Sequence, residues 1–170
     1  MGNNIYLVGF MGTGKTAVGR ELAKIKEWRF IDLDDLIEDS QHKSVSEIFA
    51  KSGEAYFREL EKDALAGISQ KSDCVVSCGG GIVLDQGNID VMRSTGVMVC
   101  LSASVDEIIR RTRGRVHRPL LNVPDPKEKI EYLLKVRAPY YDRADIIIDT
   151  TQVPIDEISK KILAVIAEKK

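Results

Sequence analysis

The sequence is sparing with the features that mark special environments. Its three cysteines, Cys74, Cys78 and Cys100, are odd in number and sit in or beside apolar runs, with no CxxC pair or Cys/His cluster. Buried reduced thiols are therefore expected, not disulfides or a zinc site. Neither sign of charge dominates: 25 lysines and arginines stand against 26 acids, which argues against a broad face for nucleic acid or membrane. No apolar run approaches the length of a membrane span, and no charged leader precedes an apolar segment, so the cytoplasm is the expected compartment. Repeats, linkers and low-complexity tracts are missing too. A single domain of residues 1–170 is expected, long enough to bury most of its apolar surface in one core.

What the sequence does contain is a regular alternation of short apolar runs and helical patterns. Strands are expected at Ile5–Val8, at "RFIDLD" ending near Asp32, at Cys74–Ser77, at Val97–Leu101 and at Asp145–Ile148. Helices are expected over Lys15–Lys26 and over about Asp34–Gln70, the latter interrupted near Gln41–Lys43 and at Gly53. Ser44 with Glu47 forms a capping-box pattern, and Ser104 with Glu107 caps the helix after the fourth strand. Asp125-Pro126 restarts a helix, and isoleucines and valines at helical spacing mark Pro154 to about Ala167. Buried strands alternating with helices imply an α/β fold with a mostly parallel sheet and helices on both faces.

Residues 9–16 read "GFMGTGKT" and fit G-x-x-x-x-G-K-[ST], with Gly9, Gly14, Lys15 and Thr16 at the diagnostic positions. An apolar strand ends just before and a helical pattern begins within, as that motif requires. Such a loop turns backbone N–H groups inward and adds the positive end of a helix, making a nest for a polyphosphate. Lys15 can reach the β- and γ-phosphates, and the Thr16 hydroxyl suits Mg²⁺. A plain glycine-rich turn would leave both side chains unexplained.

The other motifs narrow the class. No N-K-x-D stretch is present to read guanine, and the third strand ends "VVSCGGG" without an acid of the kind an ATPase motor uses. Acids close the second strand instead, as "IDLDD"; if that strand persists, Asp32 and Asp34 point the same way, toward the mouth of the loop. Asp32 could hold magnesium waters and Asp34 a substrate hydroxyl, although an Asp-rich helix cap is the bland alternative. Arg58, with Glu54 four residues before and Glu61 three after, has the spacing of ordinary surface ion pairs, or of an arginine oriented toward a carboxylate. Gly79, Gly80 and Gly81 allow the backbone to approach a small polar ligand, or form a flexible loop. "RRTRGRVHRPLL" holds Arg110, Arg111, Arg113, Arg115 and Arg118 without an acid, as a solvated patch, an RNA contact or a mobile loop closing over a triphosphate. Arg137 in "RAPYYDRAD" is a further possible anion ligand.

Together "GFMGTGKT", "FIDLD", "FRELE", "SCGGG", "RPLL" and "RAPYYDRAD" resemble the shikimate kinase family, within the nucleoside-monophosphate-kinase-like P-loop group, from about residue 4 to 150. The resemblance implies a three-layer fold with a five-stranded parallel sheet of order 2-3-1-4-5. It also implies a substrate-binding insert at about residues 33–61 and a lid at about 112–125. ATP would lie on Gly12, Thr13, Gly14, Lys15, Thr16 and Ala17, with Arg111 stacked on adenine and Arg118 brought by the lid to the transferred phosphate. Mg²⁺ would meet Thr16 and, through water, Asp32. Shikimate would be held by Asp34, Arg58 (oriented by Glu61), Gly79 to Gly81 and Arg137, with Phe49 and Phe57 against its ring or in the core. Lys15, Asp34 and Arg118 would be the catalytic residues. The implied partners are ATP and shikimate, with no nucleic acid and no membrane, in a monomer. Pro154 is the candidate on the adenine side. The rival readings are a kinase for another hydroxy acid such as gluconate, a nucleotide-binding regulatory domain, and an RNA-binding protein using the arginine run.

Overall fold

The computed structural model describes residues 3–114 and 123–168. Five strands, β1 (Asn4–Val8), β2 (Arg29–Asp32), β3 (Cys74–Ser77), β4 (Gly96–Ser102) and β5 (Ile146–Asp149), form one sheet in the order β2-β3-β1-β4-β5. Every neighbouring pair is parallel, with Tyr6 opposite Val76 on one side and Met98 on the other. The helices are α1 (Lys15–Lys26), α2 (Leu33–Gln41), α3 (Val45–Ser69), α4 (Gln86–Thr95), α5 (Val105–Thr112), α6 (Pro126–Tyr141) and α7 (Ile155–Glu168). The sheet order implied by the family resemblance is the one observed.

Strand side chains alternate between faces, and here both faces are covered. Tyr6, Val8, Val76, Met98 and Cys100 join one buried cluster with Leu65, Ile68, Ile89 and Met92 of α3 and α4. Ile5, Leu7, Val75, Val99 and Leu101 join the other with Val18, Leu22, Ile158 and Ile162 of α1 and α7. Each such side chain taken fully from water contributes about 1.5–3 kcal/mol. The three cysteines are buried and free, as their apolar surroundings suggested. No helix among the described residues is long and apolar enough to cross a membrane.

Local chemistry sets the boundaries. Ser44 and Glu47 complete a capping box, with Ser44 N–H donating to Glu47 Oε2 at 2.8 Å and Glu47 N–H to Ser44 Oγ at 3.2 Å. At Gly53 (φ 81°) α3 bends where the helical pattern was interrupted. Asp125 caps α6 through the Glu128 N–H at 3.0 Å. Ser104 caps α5 by accepting from Glu107 N–H, but the Glu107 carboxylate turns to Arg110 and Arg111 and leaves that box half made. The second strand does not persist to Asp34. It stops at Asp32, whose carboxylate accepts the Asp34 N–H at 3.1 Å and caps α2. Asp34 and Asp35 lie in the first helical turn, where the helix dipole favours acids. Helix α4 carries a short apolar stripe, with Ile89 and Met92 as its buried apolar residues, too brief to register as a helical pattern.

Candidate active site

The loops leaving β1, β2 and β3 meet at the C-terminal edge of the sheet, the end where open α/β sheets bind ligands. They enclose a cleft of about 1140 Å³. Its two ends differ in construction.

One end is the loop after β1. Gly14 takes φ 97°, a left-handed conformation that only glycine adopts freely, and it N-caps α1 without a side-chain bond. The α1 N-terminus is thus left open toward the cleft, as an anion site requires. Lys15 Nζ donates to Gly9 O at 2.8 Å and Phe10 O at 2.9 Å, folding its stem over the loop. Thr13 Oγ1 donates to Phe10 O at 2.7 Å, and Thr16 Oγ1 to Asp32 Oδ2 at 3.0 Å. Gly12, Thr13, Gly14, Lys15, Thr16 and Ala17 all line the cleft. Among the described residues no cluster of three or more His, Cys, Asp or Glu could hold a metal by itself. A hydroxyl and a carboxylate side by side fit Mg²⁺ nonetheless, because that ion takes few protein oxygens and fills its octahedron with water and phosphate.

The other end draws on α2, α3, the turn after β3 and α6. Arg58 Nη1 donates to Glu61 Oε2 at 2.5 Å and its Nη2 to Glu54 Oε1 at 2.9 Å. The Glu61 side chain is only 1 % exposed, which separates this pair from the solvated ion pairs that its spacing also allowed. Arg58 lies flat over Gly81, where any Cβ would overlap its guanidinium; a Cβ at Gly79 would overlap Glu61 Oε1. The glycine run is therefore needed for close approach. Arg137 on α6 is buried and its guanidinium reaches Gly80 and the Phe10 ring. Phe49 and Phe57 line the cleft with ring centroids 4.9 Å apart, and Phe57 also belongs to the buried core.

Electrostatics separate the carboxyls. Burial, reinforced by Asp32, pushes Asp34 up to about 6. Burial pushes Glu61 up to about 7 against the pull of Arg58. Among the described residues three buried side-chain polar atoms lack a hydrogen-bond partner: Asp34 Oδ1, Arg58 Nε and Glu61 Oε1. All three belong to this one end.

The structure thus gathers Lys15, Thr16, Asp32, Asp34, Arg58, Gly79 to Gly81, Arg111 and Arg137 around one cleft. Val153 and Ile155 line it beside Pro154. Arg115, His117 and Arg118 lie outside the described residues. Tyr141 was missed from the sequence. Its hydroxyl donates to Gly80 O at 2.6 Å, and burial raises it to about 12 despite bonding to Arg137. The available signal was its position four residues beyond Arg137, on the same helix face.

A sequence model described as "Shikimate kinase" matches residues 11–167. The chain is 42% identical over 160 residues to a shikimate kinase of Thermodesulfovibrio yellowstonii, covering 94% of this chain and 92% of that protein. Its fold is similar to that of a shikimate kinase from Acinetobacter baumannii in complex with shikimate, with TM-score 0.95 and 37% identity over 99% of this chain and 94% of that one. The shikimate kinase of Aquifex aeolicus gives TM-score 0.86 and 34% identity over 98% and 97% of the two chains.

Proposed function

The chain belongs to the shikimate kinase family, and on that premise we propose how its own residues divide the work of phosphoryl transfer. The reaction moves the γ-phosphoryl group of ATP to the 3-hydroxyl of shikimate, giving shikimate 3-phosphate and ADP. The hydroxyl oxygen forms the new P–O bond, the bond to the β-phosphate oxygen breaks, and ADP leaves with that electron pair.

The reading of residue roles is carried by one observation: the orphaned Asp34 Oδ1, Arg58 Nε and Glu61 Oε1 beside a phosphate-binding loop. Unpaired buried polar atoms are costly, so their clustering favours a polar ligand that completes them. A hydroxylated ring bearing a carboxylate matches an acid and two arginines. In this assignment Arg58, held by Glu61, and Arg137, steadied by Tyr141, take the carboxylate in fork geometry. Asp34 accepts from the attacking hydroxyl and orients it; raised to about 6, it is ionised at neutral pH and able to receive the proton. A loose transition state asks little more of it. Phe49 and Phe57 exclude water from the ring.

On the donor side, Lys15 exchanges its carbonyl partners for the β- and γ-phosphates, while loop N–H groups hold the chain of phosphates. Thr16 and, through water, Asp32 would hold Mg²⁺, which when bound neutralises charge on the phosphate oxygens. Arg111 is assigned to the adenine and Arg118 to the transferred phosphate. The domain is single, with residues 33–61 as the acceptor insert and 112–125 as the lid, and it acts as a monomer in the cytoplasm. Its partners are ATP and shikimate, with no part for nucleic acid or membrane.

The test is ADP release with ATP and Mg²⁺ in the presence of no acceptor, shikimate, gluconate or a nucleoside monophosphate. Stimulation by shikimate alone is expected. Protein that binds ATP yet shows no stimulation by shikimate would overturn the acceptor assignment and return Arg58 to a structural ion pair.

A further inference from the structure

Thr150, the residue after β5, is 1 % exposed and belongs to no motif described above. Its N–H donates to Ser102 O at 2.8 Å, prolonging the pairing of β5 with β4. Its hydroxyl lies 2.9 Å from Thr13 O, 2.9 Å from Ser102 O and 3.0 Å from Arg111 Nη1. A hydroxyl has one proton to give. The guanidinium only donates, so the proton goes to a carbonyl. Of the two at 2.9 Å only Ser102 O already has a backbone donor, the Thr150 N–H, which leaves Thr13 O as the acceptor that depends on the hydroxyl. That carbonyl precedes the N-cap Gly14 and falls outside the hydrogen-bond ladder of α1, so it needs a partner from elsewhere in the fold.

Arg111 makes the matching contact one peptide earlier. Its Nη1 donates to Gly12 O at 3.2 Å, while Nη2 holds Thr150 O at 2.8 Å and Nε holds Glu107 Oε1 at 2.7 Å. Glu107 is itself buried, and its bonds to Arg110 and Arg111 pull its carboxyl down to about 2. Because peptides are planar, fixing the Gly12 and Thr13 carbonyls also fixes the N–H groups of Thr13 and Gly14. These are groups of the nest itself.

We propose that Thr150 is a positioning residue for the nucleotide: its hydroxyl, with Arg111 oriented by Glu107, fixes two successive peptides of the phosphate-binding loop through their carbonyls. This rests on the reading of that loop as the ATP site. It makes Thr150 a determinant of nucleotide affinity that has no part in holding the acceptor.

The experiment compares Thr150→Val, which keeps the shape and removes the hydroxyl, with Thr150→Ser, which keeps the hydroxyl. ADP binding is measured by calorimetry with Mg²⁺ present, alongside the KM for ATP and for shikimate. Thr150→Val is expected to weaken ADP and raise the ATP KM by about tenfold, the effect of leaving a carbonyl unpaired. The shikimate KM should stay within about twofold, and Thr150→Ser should restore ADP binding to near the parent value. Unchanged ADP binding by Thr150→Val, equal changes in both KM values, or failure of Thr150→Ser to restore would each overturn the assignment. So would a Thr150→Val chain that does not fold beside a Thr150→Ser chain that does, since the hydroxyl would then serve stability. If the unsubstituted protein did not bind ADP, the nucleotide site would fall and this role with it.

Discussion

At the donor end of the cleft the polar groups find partners in the loop or on the elements beside it, whereas at the acceptor end several buried ones do not. Lys15 rests on the Gly9 and Phe10 carbonyls, Thr13 on Phe10 and Thr16 on Asp32. Asp34, Arg58 and Glu61 each keep a buried atom without a partner, and the Asp34 and Glu61 carboxyls are pushed up to about 6 and about 7. The donor end resembles a mould made of backbone, set before any ligand arrives. The acceptor end holds buried side-chain atoms without partners, which on the proposed reading a ligand of the right chemistry would complete. On the proposed reading, preorganisation serves charge stabilisation at the phosphate and frustration serves selection of the acceptor.

Breaking the donor end should have the largest effect. Lys15→Met is expected to lower kcat by about a thousandfold while leaving the thermal midpoint near that of the parent. Normal turnover in a folded variant would remove Lys15 from the chemistry.

The acceptor end should instead reveal its frustration in stability. Asp34 and Glu61 hold protons more tightly folded than unfolded, so the stability they contribute is complete below about pH 4 and is lost as pH rises through about 6 to 7. Asp34→Asn removes one of these charges. Without ligands at pH 8 it should stabilise the fold by about 2 kcal/mol, or several degrees. The gain should vanish at pH 4, and kcat should fall by about a hundredfold. A variant no more stable at pH 8 than the parent would mean that the Asp34 carboxylate is well accommodated before substrate binds.

The same contrast explains what could be read from the sequence. The phosphate loop was legible because its chemistry is local: a strand, a glycine conformation, a helix start and two side chains within eight residues. The strands and their order followed from apolar runs and from the resemblance that the motifs carried. The acceptor end was not legible from spacing alone, since Arg58 and Glu61 look like any helix pair until the turn after β3 is laid against them. The shared direction of Asp32 and Asp34 was conditional on the strand running on to Asp34; it ends at Asp32, which caps α2, and the Asp34 side chain reaches the cleft from the first helical turn instead. Thr150 and Tyr141 act through single hydroxyl-to-carbonyl bonds across 137 and 61 residues of chain, which no local pattern encodes.

The most direct test of the division between the two ends is the steady-state comparison of Arg58→Ala with the parent, varying ATP and shikimate in turn. The shikimate KM should rise about a hundredfold with the ATP KM held within about twofold, as expected for loss of a charged fork to a carboxylate. Equal rises in both constants, or no rise for shikimate, would contradict it.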